Sequence, residues 1–271
     1  MSKIAKTAII HDSAQIGANV TIKDFVVIHR DVVICDNVEI GIGTIIKENV
    51  KIESNSYIGD YSILGEYSAE YYNDEHNYER KQTVIGENSL IRSNSIIYEN
   101  VQIGREFQTG HRVTIRECSY IGDNCSIGTL CDIQGYVKIG DFVRMHSNVH
   151  IGQKSIIENY VWIYPYVVLT NDPYPPMGKL KGVTLKEYSQ VATLSVVMPG
   201  VTVGINALVG ANSLVRKDVP DESVYVGNPG KIICSIRDLK DDTGNQIYPW
   251  KEYLTDFRGY PWQKNKSIIN E

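Results

Sequence analysis

A six-residue repeat dominates this chain. An aliphatic residue leads almost every hexad through three blocks, and Thr109 is the one polar leader. A period of six fits neither a 3.6-residue helix nor the two-residue alternation of a strand, so the repeat itself indicates the fold. Gly in the second position and Asn in the fourth suit a short strand followed by a corner with positive φ. The leaders return every six residues from Ile4 to Leu64, from Ile85 to Leu169 and from Leu185 to Val215.

Three hexads make one triangular coil, so the 32 hexads predict between ten and eleven coils stacked in one all-β solenoid. The predicted parallel β-helix covers residues 1–218, with a first loop at 65–84 and a second loop at 170–184 where the period fails. Residues 219–271 are predicted to form a helical or irregular cap and tail over the exposed strand edges, with a short helix at about 231–240.

The first loop is rich in tyrosine and acidic residues. It fits either a contact with a neighbouring subunit or one wall of a substrate site, because long loops on a rigid repeat often carry function.

Composition limits the partners. The 271 residues carry a net charge of −5, so no nucleic acid partner is expected. The five cysteines form no C-x-x-C pair, and Cys125 and Cys131 occupy the fifth hexad position, where reduced core thiols are expected. The first residues lack the apolar run of a signal peptide or membrane anchor, so the sequence predicts a cytoplasmic protein without a membrane partner.

Residues 18 apart in the second block stack at one corner, and the three corner columns differ in character. One column keeps a Gly-x-Asn pattern and is expected to be architectural. A second column carries Arg92 and His146 instead. In the third column Gly135 leaves room between Glu117 and Gln153. Both loops also begin directly after a hexad that belongs to this column. The third column therefore predicts a substrate cleft, with ordinary solvated corners as the alternative. Its polar members are Glu99, Glu117, Gln153, Asn171 and Asp172.

His111 is a candidate proton acceptor. It follows the polar leader Thr109 and is close in sequence to Arg116 and Glu117. A histidine positioned by a carboxylate can take a proton near neutral pH, which typically accelerates a reaction by about 10²–10⁴-fold. A structural histidine at a subunit contact is the alternative.

His146 and His150 are four residues apart, a spacing that joins two metal ligands on a helix. In a hexad strand they occupy different positions and point different ways, so the sequence predicts no metal site.

Longer segments resemble one known family. The hexads, the loop after Leu169 and the ending LVRKDVPDESVYVGNPGK are similar to the hexapeptide-repeat acyltransferases. The segments FQTGHRVTIRE, VRMHSNVHIG and IYPWKEYL resemble the branch that N-acylates amino sugars carried on dTDP or UDP. This resemblance implies left-handed coils, which parallel strands rarely adopt. It also implies a homotrimer with sites at subunit interfaces, and an acyl-CoA donor.

The resemblance assigns roles to residues on the donor side. The pantetheine arm of acyl-CoA is expected at the backbone near Ala192 and Gly210, and the CoA phosphates near Arg216, Lys217 and Lys231.

On the acceptor side, the nucleotide sugar is expected beside the second block, and Arg92 and Arg116 are the candidate pyrophosphate contacts. Gln153 stands where the resemblance leads us to expect a glutamate, and Gly135 where some relatives carry a histidine, so these two positions depart from a strict His/Glu base. The predicted substrate contacts are Arg92, Glu99, Arg116, His146 and Asp172. The predicted catalytic set is His111, Glu117, Gln153 and Asn171.

The predicted reaction moves an acyl group, acetyl first, from acyl-CoA to the amine of a dTDP-linked 3- or 4-amino-dideoxyhexose. The amine proton passes either to a base such as His111 or a carboxylate, or to the departing thiolate while Asn171 and Gln153 orient the amine. Orientation alone can supply roughly 7–11 kcal/mol in the best cases.

Several alternatives stay open at this point. A sugar O-acetyltransferase would need a stronger base and predicts loss of activity in His111→Ala, and an N-acyltransferase could use a longer hydroxyacyl-CoA. A zinc hydratase would need three converging imidazoles, and a non-catalytic solenoid would bind no CoA.

Overall fold

A computed structural model describes residues 2–253 of the chain. Each of the 32 hexad leaders lies on its own short strand, and these strands are numbered β1–β32 in chain order. The first block holds β1 (Lys3–Ile4), β2 (Ile9–Ile10), β3 (Gln15–Ile16), β4 (Thr21–Ile22), β5 (Val27–Ile28), β6 (Val33–Ile34), β7 (Glu39–Ile40), β8 (Ile45–Ile46), β9 (Val50–Ile52), β10 (Tyr57–Ile58) and β11 (Ile63–Glu66).

The second and third blocks continue the same pattern. The second block holds β12 (Thr83–Ile85), β13 (Leu90–Ile91), β14 (Ile96–Tyr98), β15 (Gln102–Ile103), β16 (Gln108–Thr109), β17 (Thr114–Ile115), β18 (Tyr120–Ile121), β19 (Ser126–Ile127), β20 (Asp132–Ile133), β21 (Lys138–Ile139), β22 (Arg144–Met145), β23 (His150–Ile151), β24 (Ile156–Ile157), β25 (Trp162–Ile163) and β26 (Val168–Leu169). The third block holds β27 (Thr184–Leu185), β28 (Gln190–Val191), β29 (Val196–Val197), β30 (Thr202–Val203), β31 (Leu208–Val209) and β32 (Leu214–Val215).

Every third strand pairs in parallel with the next one in its sheet, which gives the solenoid three faces. Sheet A runs from β1 through β4 to β31, sheet B from β2 through β5 to β32, and sheet C from β3 through β6 to β30. The predicted fold class, an all-β left-handed parallel β-helix, is confirmed.

The core is one continuous column of side chains. The leaders and the fifth hexad residues point inward and are buried from Val20 onward, whereas those of the first coil are only partly covered; the residue before each leader points outward. Cys125 and Cys131 are free thiols within this core, as predicted. Burial raises the pKa of Cys125 to about 12 and that of Cys131 to about 11, so both stay protonated and unreactive.

Most corners have the same backbone conformation although their residues differ. From Asn19 to Asn212 the fourth hexad position within the repeat blocks has φ near +60° at most corners, which Asn tolerates well, as at Asn94 (62°). Tyr160 and Leu194 adopt the same value of 61°, although bulky residues disfavour it. The stacked coils on either side therefore determine the corner geometry at these positions.

The C-terminal end of the solenoid is closed by a hairpin, and the predicted helix at 231–240 is wrong. Strand β33 (Ser223–Gly227) pairs in parallel with β31, and β34 (Gly230–Ser235) pairs antiparallel with β33. A strand rather than a helix forms here because the open edge of sheet A offers unpaired backbone groups. A single 3₁₀ turn follows at Ile236–Asp238.

Helical structure is sparse in the described part of the chain. The first loop contains α1 (Ala69–Asn73) and a 3₁₀ turn (Glu75–Asn77), and α2 (Trp250–Tyr253) lies near the end of the described residues. Over residues 2–253, every helix falls short of the length and apolar character that crossing a membrane requires. Residues 254–271 of the predicted tail lie outside the described residues.

Candidate active site

The third corner column lies where the chain passes from sheet B to sheet C, and we call this edge the B–C corner. Both loops leave from it, because β11 and β26 belong to sheet B while β12 and β27 belong to sheet C. Two loops and a column of polar side chains therefore share one edge of the solenoid.

The first loop is anchored on this edge by an ion pair. Arg80 pairs with Glu48 and donates a hydrogen bond to the carbonyl oxygen of Gly65. The Tyr67 hydroxyl donates to Oε2 of Glu48 at 3.0 Å, and the Arg80 guanidinium lies 4.4 Å from the centre of the Tyr67 ring. Burial raises the pKa of Glu48, but hydrogen bonds from the backbone and Tyr67, with the charge of Arg80, lower it further than burial raises it. The net pKa is below the ordinary value, so Glu48 is an anion at neutral pH.

Glu99 forms the second anchor of the first loop. Its Oε1 accepts a hydrogen bond from the backbone N–H of Ser68 at 2.9 Å and another from the Tyr78 hydroxyl. Its Oε2 lies 3.6 Å from Nε of Arg80. Only 2% of Glu99 is exposed. Glu99 was predicted to contact substrate, and in this structure its carboxylate holds the first loop.

Glu117 is held by the residue before it in sequence. Arg116 donates from Nη2 to Oε1 of Glu117 at 2.9 Å and from Nε to Oε2 at 3.1 Å. A methyl group at Gly135 would lie 2.9 Å from Oε1 of Glu117, so the glycine makes room for this carboxylate, as the column predicted. Glu117 is only 8% exposed, and Arg116 neutralises its charge. A pyrophosphate would have to compete with Glu117 for Arg116.

Gln153 and Asn171 stand on the next coils of the same corner. A methyl group at Gly152 would lie 3.0 Å from Cβ of Asn171, so these two coils pack closely. The Asn171 carbonyl oxygen accepts a hydrogen bond from the Lys181 backbone N–H at 2.7 Å, which ties both ends of the second loop together. Asp172 accepts from the backbone N–H of Tyr174 and shapes the start of that loop.

A histidine and an aspartate form a pair beside this column, on the outer face of sheet B. Nδ1 of His150 lies 3.0 Å from Oδ2 of Asp132, and Gln134 donates to the same oxygen at 2.8 Å. The hydrogen bond with His150 is the main reason that the pKa of Asp132 is lower than its ordinary value. Because an ionised carboxylate only accepts, this contact favours the neutral tautomer with its proton on Nδ1, and in that tautomer Nε2 of His150 has the lone pair that a base requires.

From the sequence, His150 entered only as half of a metal pair with His146 that the strand geometry disfavours. The signal for its pairing with Asp132 is the spacing, because the two residues are 18 apart and each stands immediately before a leader. Two such residues are neighbours on the outer face of one sheet, one coil apart.

The predicted base His111 lies elsewhere, at the corner between sheets A and B, which we call the A–B corner. Its side chain is exposed, and the pairing with Glu117 that the sequence suggested is absent from the described residues of one chain, because the two residues occupy different corners. The polar leader Thr109 also has a structural role. It is 1% exposed, its hydroxyl accepts the backbone N–H of Arg92 at 2.8 Å, and its carbonyl accepts from the Arg92 guanidinium at 2.6 Å.

His146 also belongs to the A–B corner. Its ring stacks on Tyr164 at 5.1 Å between ring centres, with 10° between planes. His146 and His150 thus have different neighbours. Within residues 2–253, no group of three His, Cys, Asp or Glu side chains is arranged to hold a metal ion.

The predicted CoA contacts are divided between edges. Ala192 and Gly210 follow strands of sheet A and lie at the A–B corner, whereas Arg216 and Lys217 follow β32 and lie at the B–C corner. Lys231 is exposed on β34.

The backbone of Gly210 is already used within the coil. Its N–H donates to the backbone carbonyl oxygen of Tyr225 at 2.8 Å. Its carbonyl oxygen accepts hydrogen bonds from the hydroxyls of Ser195 at 2.9 Å and Ser213 at 2.6 Å. A hydrogen bond from Gly210 to pantetheine would have to share these groups. The N–H of Ala192 likewise donates to Val209, at 2.9 Å.

Comparisons with known proteins identify acetyltransferases as relatives. Residues 31–66 match the family described as Bacterial transferase hexapeptide (six repeats). Galactoside O-acetyltransferase of Escherichia coli is 31% identical over 132 residues, which cover 41% of this chain and 63% of that protein. Serine acetyltransferase of Bacillus subtilis is 36% identical over 112 residues, which cover 40% of this chain and 49% of that protein. The chain thus spans less than two thirds of the length of these relatives.

One solved structure that was matched is UDP-N-acetylglucosamine O-acyltransferase from Moraxella catarrhalis. The match covers 86% of this chain and 74% of that chain, with 20% sequence identity and a TM-score of 0.49.

Proposed function

We propose that this chain is a cytoplasmic acyltransferase of the hexapeptide-repeat class that moves an acyl group, acetyl first, from acyl-CoA to the amine of a dTDP-linked 3- or 4-amino-dideoxyhexose. The relatives support acyl transfer as the reaction type. The nucleotide and the amine rest on the resemblance of segments such as FQTGHRVTIRE and IYPWKEYL to the amino-sugar branch, and the position of the site rests on the contacts described above.

One observation carries the proposal, namely a polar interruption of an apolar face. The outward residues of sheet B are mostly aliphatic, but three consecutive coils carry Thr114, Asp132 and His150 instead. These coils also carry the polar column of the B–C corner. The aliphatic residues of this face are Ile9, Val27, Ile45, Ile63, Ile96, Val168, Val196 and Leu214.

An apolar face of this length favours contact with further copies of the chain. The outward residues of sheets A and C are mixed and include many charged and polar side chains. Sheet B is therefore the most apolar of the three outer faces, and its exposure to water is the least favourable. A homotrimer packed through sheet B would enclose the His150–Asp132 pair between subunits. It would also bring a partner's A–B corner towards the B–C corner, so that His111 and His146 could meet the substrate from the neighbouring subunit.

Within this site, His150 is the proposed proton acceptor. The neutral amine attacks the thioester carbonyl, the new C–N bond forms, and the C–S bond breaks with release of the CoA thiolate. The amine proton passes to Nε2 of His150, and Asp132 stabilises the imidazolium that results. Gln153 and Asn171 can orient the amine through their side-chain amides. Of the two arginines predicted to bind the pyrophosphate, Arg116 lies at this corner, whereas Arg92 follows β13 of sheet A and lies at the A–B corner.

We expect Ile45→Asp to abolish assembly, because it places a charge in the middle of the proposed interface. Light scattering after size exclusion should give a mass of three chains of 30.5 kDa for the wild type and one chain for the variant. Lys51→Asp on the outer face of sheet C is the matched control and should remain a trimer. A monomeric wild type would contradict the interface.

The activity itself is tested by thiol release from acetyl-CoA with a panel of dTDP- and UDP-linked 3-amino and 4-amino dideoxy sugars. We expect release that depends on one amino sugar and is absent with the corresponding hydroxyl sugar. A parallel series with 3-hydroxybutyryl-CoA tests the longer acyl group. Release with the hydroxyl sugar alone would favour O-acylation, and no release with any pair would contradict the proposal.

A further inference from the structure

An aromatic cavity of about 280 Å³ lies against the outer face of sheet A, away from the B–C corner. The segment around α2 covers it and is fixed by a hydrogen bond from the Trp250 indole N–H to the Tyr188 carbonyl at 3.2 Å. The residues that line the cavity are Trp162, Tyr164, Gln190, Ile247, Tyr248, Trp250 and Tyr253.

Gln190 is the polar exception among the side chains of the cavity wall that come from sheet A. It stands on β28 and is only 3% exposed, and its Nε2 has no hydrogen-bond partner. A buried N–H donor that lacks a partner costs free energy, which is recovered when a ligand supplies an acceptor. An amide presents a donor and an acceptor side by side, so it suits a ligand with the complementary pair on one edge.

We propose that this cavity binds a nucleobase. Trp162 has ring neighbours on two sides, since its centre lies 5.7 Å from that of Trp250 and 6.0 Å from that of Tyr164. Aromatic walls of this kind receive flat rings, and base stacking on such side chains tolerates any base. The Gln190 amide would pair with the base edge, as glutamine does with adenine or with the carbonyl and N–H of a pyrimidine.

The surroundings of the cavity suit the rest of a nucleotide. Trp162 also lines a second, polar cleft of about 270 Å³, which Arg144, His146 and Ser147 share. A ribose and phosphate attached to a base in the aromatic cavity could extend into this cleft at the A–B corner, which a trimer packed through sheet B would bring towards a partner's B–C corner. The inference rests on the proposed function, because nucleotide-linked sugars and CoA both carry a nucleobase.

The test is a fluorescence titration of the full chain, since two of its three tryptophans line the cavity. The probes are dTMP and UMP for the acceptor nucleotide and adenosine 3′,5′-bisphosphate for CoA. We expect saturable quenching by at least one of them. Gln190→Leu should raise its Kd by about tenfold, the effect of losing one buried hydrogen bond. The matched control is Gln108→Leu, which removes an exposed glutamine from the same column of sheet A and should leave the Kd unchanged.

Stability separates a binding role from a structural one. Because Gln190→Leu removes a buried Nε2 donor that lacks a partner, the melting temperature of the variant should not fall below that of the wild type. Quenching by the pyrimidine nucleotides assigns the cavity to the acceptor, and quenching by the adenine nucleotide assigns it to CoA. Absence of saturable quenching by all three probes, or an equal Kd in Gln190→Leu and the wild type, would overturn the proposal. The titration needs no turnover, so it can fail or succeed independently of the acyltransferase activity.

Discussion

His150→Ala is expected to lower kcat by about 10²–10⁴-fold, the usual contribution of a general base. His150 stands beside the B–C corner with Nδ1 3.0 Å from the Asp132 carboxylate, which leaves Nε2 to face the substrate. The KM for acetyl-CoA should change little, because the proposed role concerns the amine proton. Steady-state thiol release with the preferred amino sugar measures both quantities.

Two further variants separate this role from its rivals. Asp132→Asn should also lower kcat, because an amide can stabilise neither the Nδ1–H tautomer nor the imidazolium as a carboxylate does. His111→Ala is the matched histidine control and should lose far less activity than His150→Ala. A loss of less than about tenfold in His150→Ala would contradict the assignment of His150 as the general base. A larger loss in His111→Ala would transfer the role to the histidine that the sequence singled out.

Phe107→Ala is expected to lower the free energy of unfolding by about 3–5 kcal/mol, the range for removal of a buried phenylalanine. Phe107 is 0% exposed and is the largest fully buried side chain among the described residues. Smaller residues hold the same position on the neighbouring coils, Ser89 on one side and Cys125 on the other, so the ring fills space that they leave. A denaturant titration followed by circular dichroism measures the change.

The control for this prediction is Phe25→Ala. Phe25 is 65% exposed at a corner of the solenoid, so its truncation should change the free energy of unfolding by no more than about 0.5 kcal/mol. Equal destabilisation by the two substitutions would contradict the assignment of Phe107 to the core.

The hexads predicted the fold because they encode two facts at once. The leader points inward in every coil, and the period of 18 residues brings equivalent leaders into register, as with Ile115 and Ile133. The prediction of a helix at 231–240 was wrong because the local sequence pattern carries no information about the open edge of sheet A. Gly230–Ser235 adds to that edge as a strand.

The candidate site was predicted only in part, for a related reason. The column of Glu117, Gln153 and Asn171 follows from the period of the repeat. The burial of a side chain does not follow from it. Glu99, for example, is buried because the first loop packs on it and donates a hydrogen bond from Ser68. Thr109 breaks the apolar pattern close to His111, but its hydroxyl accepts the backbone N–H of Arg92 inside the coil. The polar leader therefore has a structural role and does not mark a catalytic residue. The pair of Asp132 and His150 could have been found by reading outward positions 18 residues apart.

The central claim is that this site forms an amide bond, and the product of the reaction tests it most directly. The nucleotide sugar recovered after incubation with acetyl-CoA should have gained one acetyl group and should resist hydroxylamine, which cleaves esters and leaves amides intact. An acetylated product that hydroxylamine cleaves, or no acetylated product with any of the amino sugars, would contradict N-acylation.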